Sequence, residues 1–453
     1  MLYRKILKDL EKWRNSTGRK PLILRGARQV GKTTLVDEFG KGYKQYVKLN
    51  LEKSKDAGFF IQYGDDVRKI FEAILLSRNL KNNPSETLLF IDEIQEVPHA
   101  INLLRYFYED MPELHVISAG SLLELALGKV KSFPVGRVFQ MPVNPLDFEE
   151  FLMAMGEEIA LEYYQKCPIP DLAVNKLLTL FNEFIIVGGM PEVVDKYRSG
   201  GRLITAVTEV YSSIWDNYRD DVEKYSEGSG HREIFRHILD VAPHTRDRIT
   251  FNGFGNSSYG SSAISKAFRV LHKTGLLRLI YPTNELQIPL KPNLRRKPKI
   301  QFVDTGLLNY AAGIQTQLLK LEDLNNYYKG YLVNHMVFQE RIAQSERINH
   351  LPYFWTREKS NSNAEVDWVH QFGDQVFPVE IKSGASGRLR SLMEFIDRSN
   401  HSTGFRLLAN KVSIEDLNTI TGTPMKLVNL PYFCGGKIDQ FIEWALDEAG
   451  KSS

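Results

Sequence analysis

The 453-residue chain has only two cysteines, Cys167 and Cys434, little excess of charge of either sign, and no long apolar run. Each scarcity excludes something. Two cysteines so far apart supply neither a disulfide framework nor a cysteine-based zinc site, and they fit a reducing compartment. Lys and Arg number 58 against 55 Asp and Glu, a net charge of +3, so any nucleic-acid contact must come from a local patch. No segment approaches the ~18 uninterrupted apolar residues of a membrane span. The N-terminus carries Lys5, Lys8, Asp9 and Glu11 and lacks the apolar core of a signal peptide. Leu2, Ile6, Leu10 and Trp13 fall instead on one stripe of an amphipathic helix. The expectation is a cytoplasmic protein that contacts no membrane. Hydrophobic residues make up 43% and charged residues 25%, ordinary for a globular chain whose length points to about three domains.

Residues 22–34 carry the first chemical signal. The apolar run from Leu22 to Leu24 leads into a loop from Gly26 to Gly31, after which Lys32, Thr33 and Thr34 open a helical pattern. This is the strand–GxxxxGK[ST]–helix order of a P-loop. Gly26 and Gly31 permit backbone angles that a Cβ forbids, so the amides of Ala27, Arg28, Gln29 and Val30 can turn inward around a phosphate. The helix from Lys32 adds its N-terminal partial positive charge. Lys32 can reach the terminal phosphates, and the Thr33 hydroxyl can ligate Mg²⁺. The candidate nucleotide-binding set therefore runs from Gly26 to Thr34, and the expected ligand is ATP with Mg²⁺.

Residues 46–51 alternate as a strand, and Val67, Ile70, Phe71 and Ile74 return at helical spacing. The run from Leu88 to Ile91 suits a strand buried on both faces of a parallel sheet. Asp92 ends it, where a Mg²⁺-coordinating aspartate belongs, and Glu93 follows as the candidate to orient or deprotonate the attacking water. Another strand leads through Ser118 to Gly120 and Ser121. Ser121 either contacts the terminal phosphate or makes an ordinary Ser/Gly turn. Arg137 to Pro142 gives a fifth strand. The expected fold over residues 1–200 is a parallel α/β sheet of P-loop type.

From about residue 200 this alternation stops. Ile234, Ile238 and Leu239 share a helical face, residues 253–262 form a polar turn, and Ile264, Phe268 and Leu271 mark a second helix before a strand at 275–280. That order suggests a winged helix-turn-helix within 201–325. Its exposed bases would be Lys266, Arg269 and Lys273, which serve either DNA or a merely solvated face. Residues 291–299, with Lys291, Arg295, Arg296, Lys297 and Lys299, are the densest basic stretch and the best candidate for phosphate-backbone contacts.

Residues 364–382 hold a second constellation. If Gly373 and Asp374 form a two-residue hairpin loop, Phe372 faces Gln375, and counting outward sets Asp367 opposite Glu380 with Lys382 on the same face. Cross-strand neighbours have Cβ atoms ~5 Å apart, so the two carboxylates repel unless a divalent cation or the Lys382 ammonium offsets them. A carboxylate pair binding Mg²⁺ or Mn²⁺ beside a lysine suits phosphodiester hydrolysis.

Gly26 to Thr33, Asp92 to Gln95, Gly120-Ser121, Gly136-Arg137, Pro145 to Phe148 and Gly188 to Pro191 together resemble the archaeal and bacterial AAA-type P-loop ATPases. Ile300 to Leu307 is similar to that family's link into its final domain. Asp-x₁₂-Glu-x-Lys at Asp367, Glu380 and Lys382 is similar to the PD-(D/E)XK nuclease signature, within a restriction-endonuclease-like α/β domain at 326–453. The resemblance implies an ATP site shared with or sensed by a neighbouring subunit or domain, and a homo-oligomer as one assembly that would supply it. Arg137 is the candidate sensing arginine, or a surface ion pair. It also implies a metal-facing glutamate in the helix after Gly330, where this chain has Asn334; Glu340 lies two turns on. The function expected is a Mg²⁺-dependent ATPase coupled to a nuclease-like or DNA-related domain. The alternative is a slowly hydrolysing or non-hydrolysing ATP switch whose C-terminal domain only binds partners.

Overall fold

Strand β1 (Leu22–Arg25) runs into the P-loop, and helix α2 (Lys32–Gly40) begins at its lysine. The computed structural model describes residues 2–121, 123, 133–224, 229–315, 326–345, 348, 351–357, 364–385 and 389–451. The amphipathic helix α1 (Ile6–Arg14) precedes β1 and buries Leu10 and Trp13. Strands β2 (Gln45–Asn50), β3 (Thr87–Asp92), β4 (His115–Gly120) and β5 (Phe139–Pro142) join β1 in a parallel sheet of order β2-β3-β4-β1-β5. Parallel neighbours need crossovers. These are α3 (Ser54–Gln62) and α4 (Val67–Arg78) between β2 and β3, and α5 (Pro98–Asp110) between β3 and β4. β3 and β4 are buried along their whole length, as their apolar runs require. The expected α/β sheet is the one adopted. Its fifth strand starts two residues later than expected, because the Arg137 amide closes a turn onto the Pro134 carbonyl (3.1 Å).

A helical layer follows: α6 (Phe148–Met155), α7 (Glu158–Tyr164), α8 (Asp171–Val187), α9 (Pro191–Ser199), α10 (Thr208–Lys224), α11 (Ser229–Val241) and α12 (Ser261–Thr274). Strands β6 (Leu277–Ile280) and β8 (Lys299–Phe302) make an antiparallel ribbon after α12. The short β7 (Pro282–Thr283) leaves that ribbon. It pairs in parallel with β9 (Tyr353–Thr356), so the middle segment contributes a strand to the C-terminal sheet. That sheet adds β10 (Glu365–Phe372), β11 (Gln375–Ile381), β12 (Thr403–Leu408), β13 (Ser413–Asn418) and β14 (Pro424–Pro431) in the order β13-β14-β12-β11-β10-β9-β7. Helices α13 (Thr305–Ala311), α14 (Asn326–Ala343), α15 (Arg390–Ile396) and α16 (Ile438–Lys451) complete the chain. No single described helix is long and apolar enough to cross a membrane.

The three parts meet at Asp304. It caps α13 by accepting from the Leu307 amide (2.8 Å), and its other oxygen accepts from the Gly189 amide (2.6 Å) and from Gln339 Nε2 of α14 (3.1 Å). Gly188, at φ +74°, leaves room for this approach; a Cβ there would overlap the Asp304 carboxylate. The Gly189 carbonyl in turn accepts from Leu146 N (2.7 Å), just ahead of α6. His335 Nε2 accepts from the Phe302 amide (2.9 Å), which puts the ring proton on Nδ1, facing Thr305 Oγ1 at 2.8 Å. Thr305 Oγ1 then donates to Gln339 Oε1 (2.8 Å). Buried polar groups must be satisfied, and this chain of bonds satisfies them in one direction.

Asp304 is fully buried, and that burial pushes its carboxyl up to about 6 despite the three donors. Between the ordinary value of 3.8 and about 6, the folded state keeps a proton that the unfolded chain has shed. Stability from this group is therefore full at low pH and falls as pH rises through that window, by up to about 3 kcal/mol at ~1.36 kcal/mol per pH unit. Asp304→Asn removes the titration. The wild type's advantage over that variant in urea unfolding should shrink by that order from pH 4 to pH 7; a pH-independent difference would contradict the burial argument.

Candidate functional site

The P-loop turns on Gly31, which sits at φ +88° as the residue before α2 and so aims the loop amides inward. Lys32 is buried, and its ammonium donates to the carbonyls of Gly26 (3.0 Å) and Ala27 (2.7 Å). Burial draws its pKa down to about 8, against the pull of Glu93 and Asp92. Thr33 Oγ1 donates to Asp92 Oδ2 at 2.8 Å, joining the helix start to the end of β3. Asp92 is itself held above the ordinary carboxyl value, chiefly by burial. An oxygen pair of this kind at the mouth of a parallel sheet fits a hard divalent cation.

Glu93 adopts the left-handed conformation at φ +50°. Its Oε2 accepts from Gln95 Nε2 (2.6 Å) and from Ser121 Oγ (3.3 Å), which binds the β3 and β4 ends together. Lys32, Thr33, Thr34, Glu93 and Ser121 line one pocket of about 520 Å³, within the range of small-ligand sites. Arg28, Gln29 and Gly31 line it too, while Pro191 and Glu192 of α9 form another wall. A nucleoside triphosphate with Mg²⁺ fits this donor set: Lys32 and the loop amides for phosphate, Thr33 and Asp92 for the cation.

Several contributors carry no local sequence signal. Arg4 donates to the Val30 carbonyl (3.0 Å) and pairs with Glu150 of α6 (3.2 Å), tying the P-loop to the helical layer. Arg28 pairs with Asp221 of α10, and Tyr218 Oη donates to the Arg28 carbonyl at 2.9 Å. Arg137 does not line the nucleotide pocket; it pairs with Glu109 at 2.8 Å on an open surface, its side chain 44% exposed. Of the two alternatives for Arg137, the ion pair is the contact made within one chain.

In the C-terminal sheet, Phe372 pairs with Gln375 and Trp368 with Val379, the register that the two-residue loop dictates. Lys382 Nζ lies 2.5 Å from Glu380 and 3.9 Å from Asp367, whose Oδ2 also accepts from the Ile381 amide (2.9 Å). Burial and the neighbouring Asp367 push the Glu380 carboxyl up to about 8, and its Oε2 is buried without a hydrogen-bond partner. Asp367, Lys382 and Asn334 line a cleft of about 380 Å³ with Arg246 and Tyr331. Glu340 faces elsewhere. Its Oε1 accepts from the Phe148 amide at the start of α6 (2.9 Å), so it cannot replace the glutamate absent at Asn334. Among the described residues no three His, Cys, Asp or Glu side chains group as a metal site. The carboxylate pair could hold a cation only with help from water or substrate oxygens.

Three family models match the chain. One, described as an AAA domain, covers residues 18–152; two domains of unknown function cover 178–318 and 329–427. No match is found among curated proteins. Solved structures that align include the Aeropyrum pernix ORC1 protein in complex with DNA, at 13% identity over 69% of this chain and 93% of that one, TM-score 0.31. The Thermotoga maritima RuvB Holliday junction branch migration motor aligns at 16% identity over 61% and 89%, TM-score 0.26. C. elegans PCH-2 aligns at 16% identity over 35% and 47%, TM-score 0.22. Scores this low establish no closer relationship.

The Lys32 ammonium is the side-chain cation at the heart of the phosphate cradle. Lys32→Ala should weaken ATP binding at least tenfold, about 1.4 kcal/mol. Calorimetry giving near-wild-type affinity would refute the assignment of this pocket to nucleotide.

Proposed function

With residues 18–152 an AAA-type ATPase domain, we propose that the chain is a Mg²⁺-dependent ATP hydrolase whose nucleotide state is passed to a DNA-handling C-terminal half. The observation that carries the hydrolase reading is the Thr33–Asp92 contact with Glu93 beside it, anchored by Ser121 and Gln95. Thr33 and Asp92 would hold Mg²⁺, which would supply Lewis acidity toward the phosphates. Lys32 balances their charge, and Glu93, once released from Ser121, orients the attacking water and accepts its proton. Arg137, exposed on a surface away from its own pocket, is suited to reach the site of a neighbouring copy.

The DNA reading rests on the exposed bases Lys266, Arg269 and Lys273 of α12 and on Lys291, Arg295 and Lys297 in the loop between β6 and β8. Helix, helix and antiparallel ribbon follow one another there as in a winged helix. Asp367 and Lys382 in the cleft, with the buried Glu380 paired to Lys382 beside it, are suited to a phosphodiester with Mg²⁺ or Mn²⁺. Asn334 in place of a carboxylate favours slow cleavage, or binding without cleavage as in the ATP-switch reading. The link between the two halves is the bond chain through Asp304, since α14 carries Gln339 and His335 on that side and Asn334 in the cleft.

Glu93→Gln should keep ATP bound and lower turnover by about 10²-fold or more, since the carboxylate acts in the transition state. A variant that hydrolyses at the parental rate would remove Glu93 from the mechanism. For the cleft, wild type, Glu380→Ala and Lys382→Ala are compared on single-stranded, duplex and branched DNA with Mn²⁺ and ATP. Cleavage lost in both variants supports the nuclease reading; identical behaviour of all three makes the domain a binding module.

A further inference from the structure

A second, smaller pocket lies behind the P-loop, on the far side of Ser121 from the nucleotide. It has a volume of about 80 Å³, between the Arg25–Ala27 turn, the Gly120–Ser121 end of β4, the end of α12 and Arg278 of β6. At ~10–15 Å³ per water-sized group it takes roughly five to eight such groups, room enough for the five heavy atoms of one phosphate. Arg25, Lys273 and Arg278 line it, and among its described lining residues there is no carboxylate.

Arg278 decides the chemistry. Its Nη2 donates to the neutral Asn144 side chain at 3.4 Å, a long contact. Burial lowers its pKa to about 10. Burial and Arg278 lower the pKa of the neighbouring His272, and its Nδ1 accepts from the Leu279 amide (3.4 Å). Arg278 is half-buried, so its guanidinium still reaches the pocket, and its planar fork matches a tetrahedral oxyanion. The exposed end of Lys273 adds a second charge.

We infer that this pocket binds a phosphate-sized oxyanion, held by Arg278 with Lys273 and Arg25. The inference goes beyond ATP hydrolysis, because the site needs no nucleotide to be complete. Two sources share the chemistry: free inorganic phosphate, and phosphate released at the nucleotide pocket, with which the site shares Ser121. In the second case the anion would arrive beside the hydroxyl that holds Glu93.

The test titrates inorganic phosphate into the nucleotide-free full chain by calorimetry. Wild type should bind saturably, and should still bind within threefold when its nucleotide pocket is filled with a non-hydrolysable ATP analogue, because the site is not the nucleotide cradle. Arg278→Gln should bind at least tenfold more weakly, and Arg278→Lys should recover part of the loss. The exposed Lys273→Gln, which does not threaten folding, should weaken binding severalfold. Phosphate inhibition of ATP turnover that Arg278→Gln relieves would identify product phosphate as the occupant; binding without inhibition would identify free phosphate. Absence of binding in wild type, binding by the Arg278 and Lys273 variants equal to wild type, or loss of binding when the nucleotide pocket is filled with the ATP analogue would overturn the proposal.

Discussion

A carboxylate with no exposure to water, Asp304, takes hydrogen bonds from three separately encoded pieces of chain. One is the turn before α9, whose Pro191 walls the nucleotide pocket. Another is the start of α13 just after the ribbon, and the third is α14, whose Asn334 lines the C-terminal cleft. Removing one partner from such a network leaves buried donors unsatisfied at about 1–3 kcal/mol each. The arrangement therefore fixes the halves in one relative position, and displacement of any one piece is felt by the other two.

The same logic is repeated at α6. Asp147 caps that helix through the Glu150 amide (2.8 Å) and also binds Lys5 from the N-terminus and Gln344 after α14 (2.8 Å). Glu340 takes the next amide, Phe148. Phe148 itself packs among Phe181, Phe184 and Phe433, joining residues from the helical layer to the C-terminal end of the chain. Burial raises the Glu340 carboxyl well above the ordinary carboxylate range.

What was legible in the sequence was local. The P-loop could be read because Gly26, Gly31, Lys32 and Thr33 act within one turn of chain, and the β10–β11 register followed from Gly373 and Asp374 alone. Apolar runs placed β3 and β4, since a strand covered on both faces has no other composition. The partners of Asp304, Arg28 and Arg4 were not legible: they lie 115, 193 and 146 residues away for Gly189, Asp221 and Glu150, and nothing in a local window marks them. Pro145–Phe148, Gly188–Pro191 and Asp304–Gly306 stood out as motifs without a role. Their meeting in space supplies the role. The strand exchange of β7 was hidden for a related reason, because two residues carry no period.

On the proposed reading, the nucleotide pocket and the half proposed to handle DNA are one coupled machine. Steady-state ATP turnover by the full chain, with and without short duplex DNA at low salt, tests it most directly. Coupling predicts that DNA changes kcat at least threefold and that the change disappears when Asp304 is replaced by asparagine. Turnover that is measurable and the same with and without DNA would contradict it.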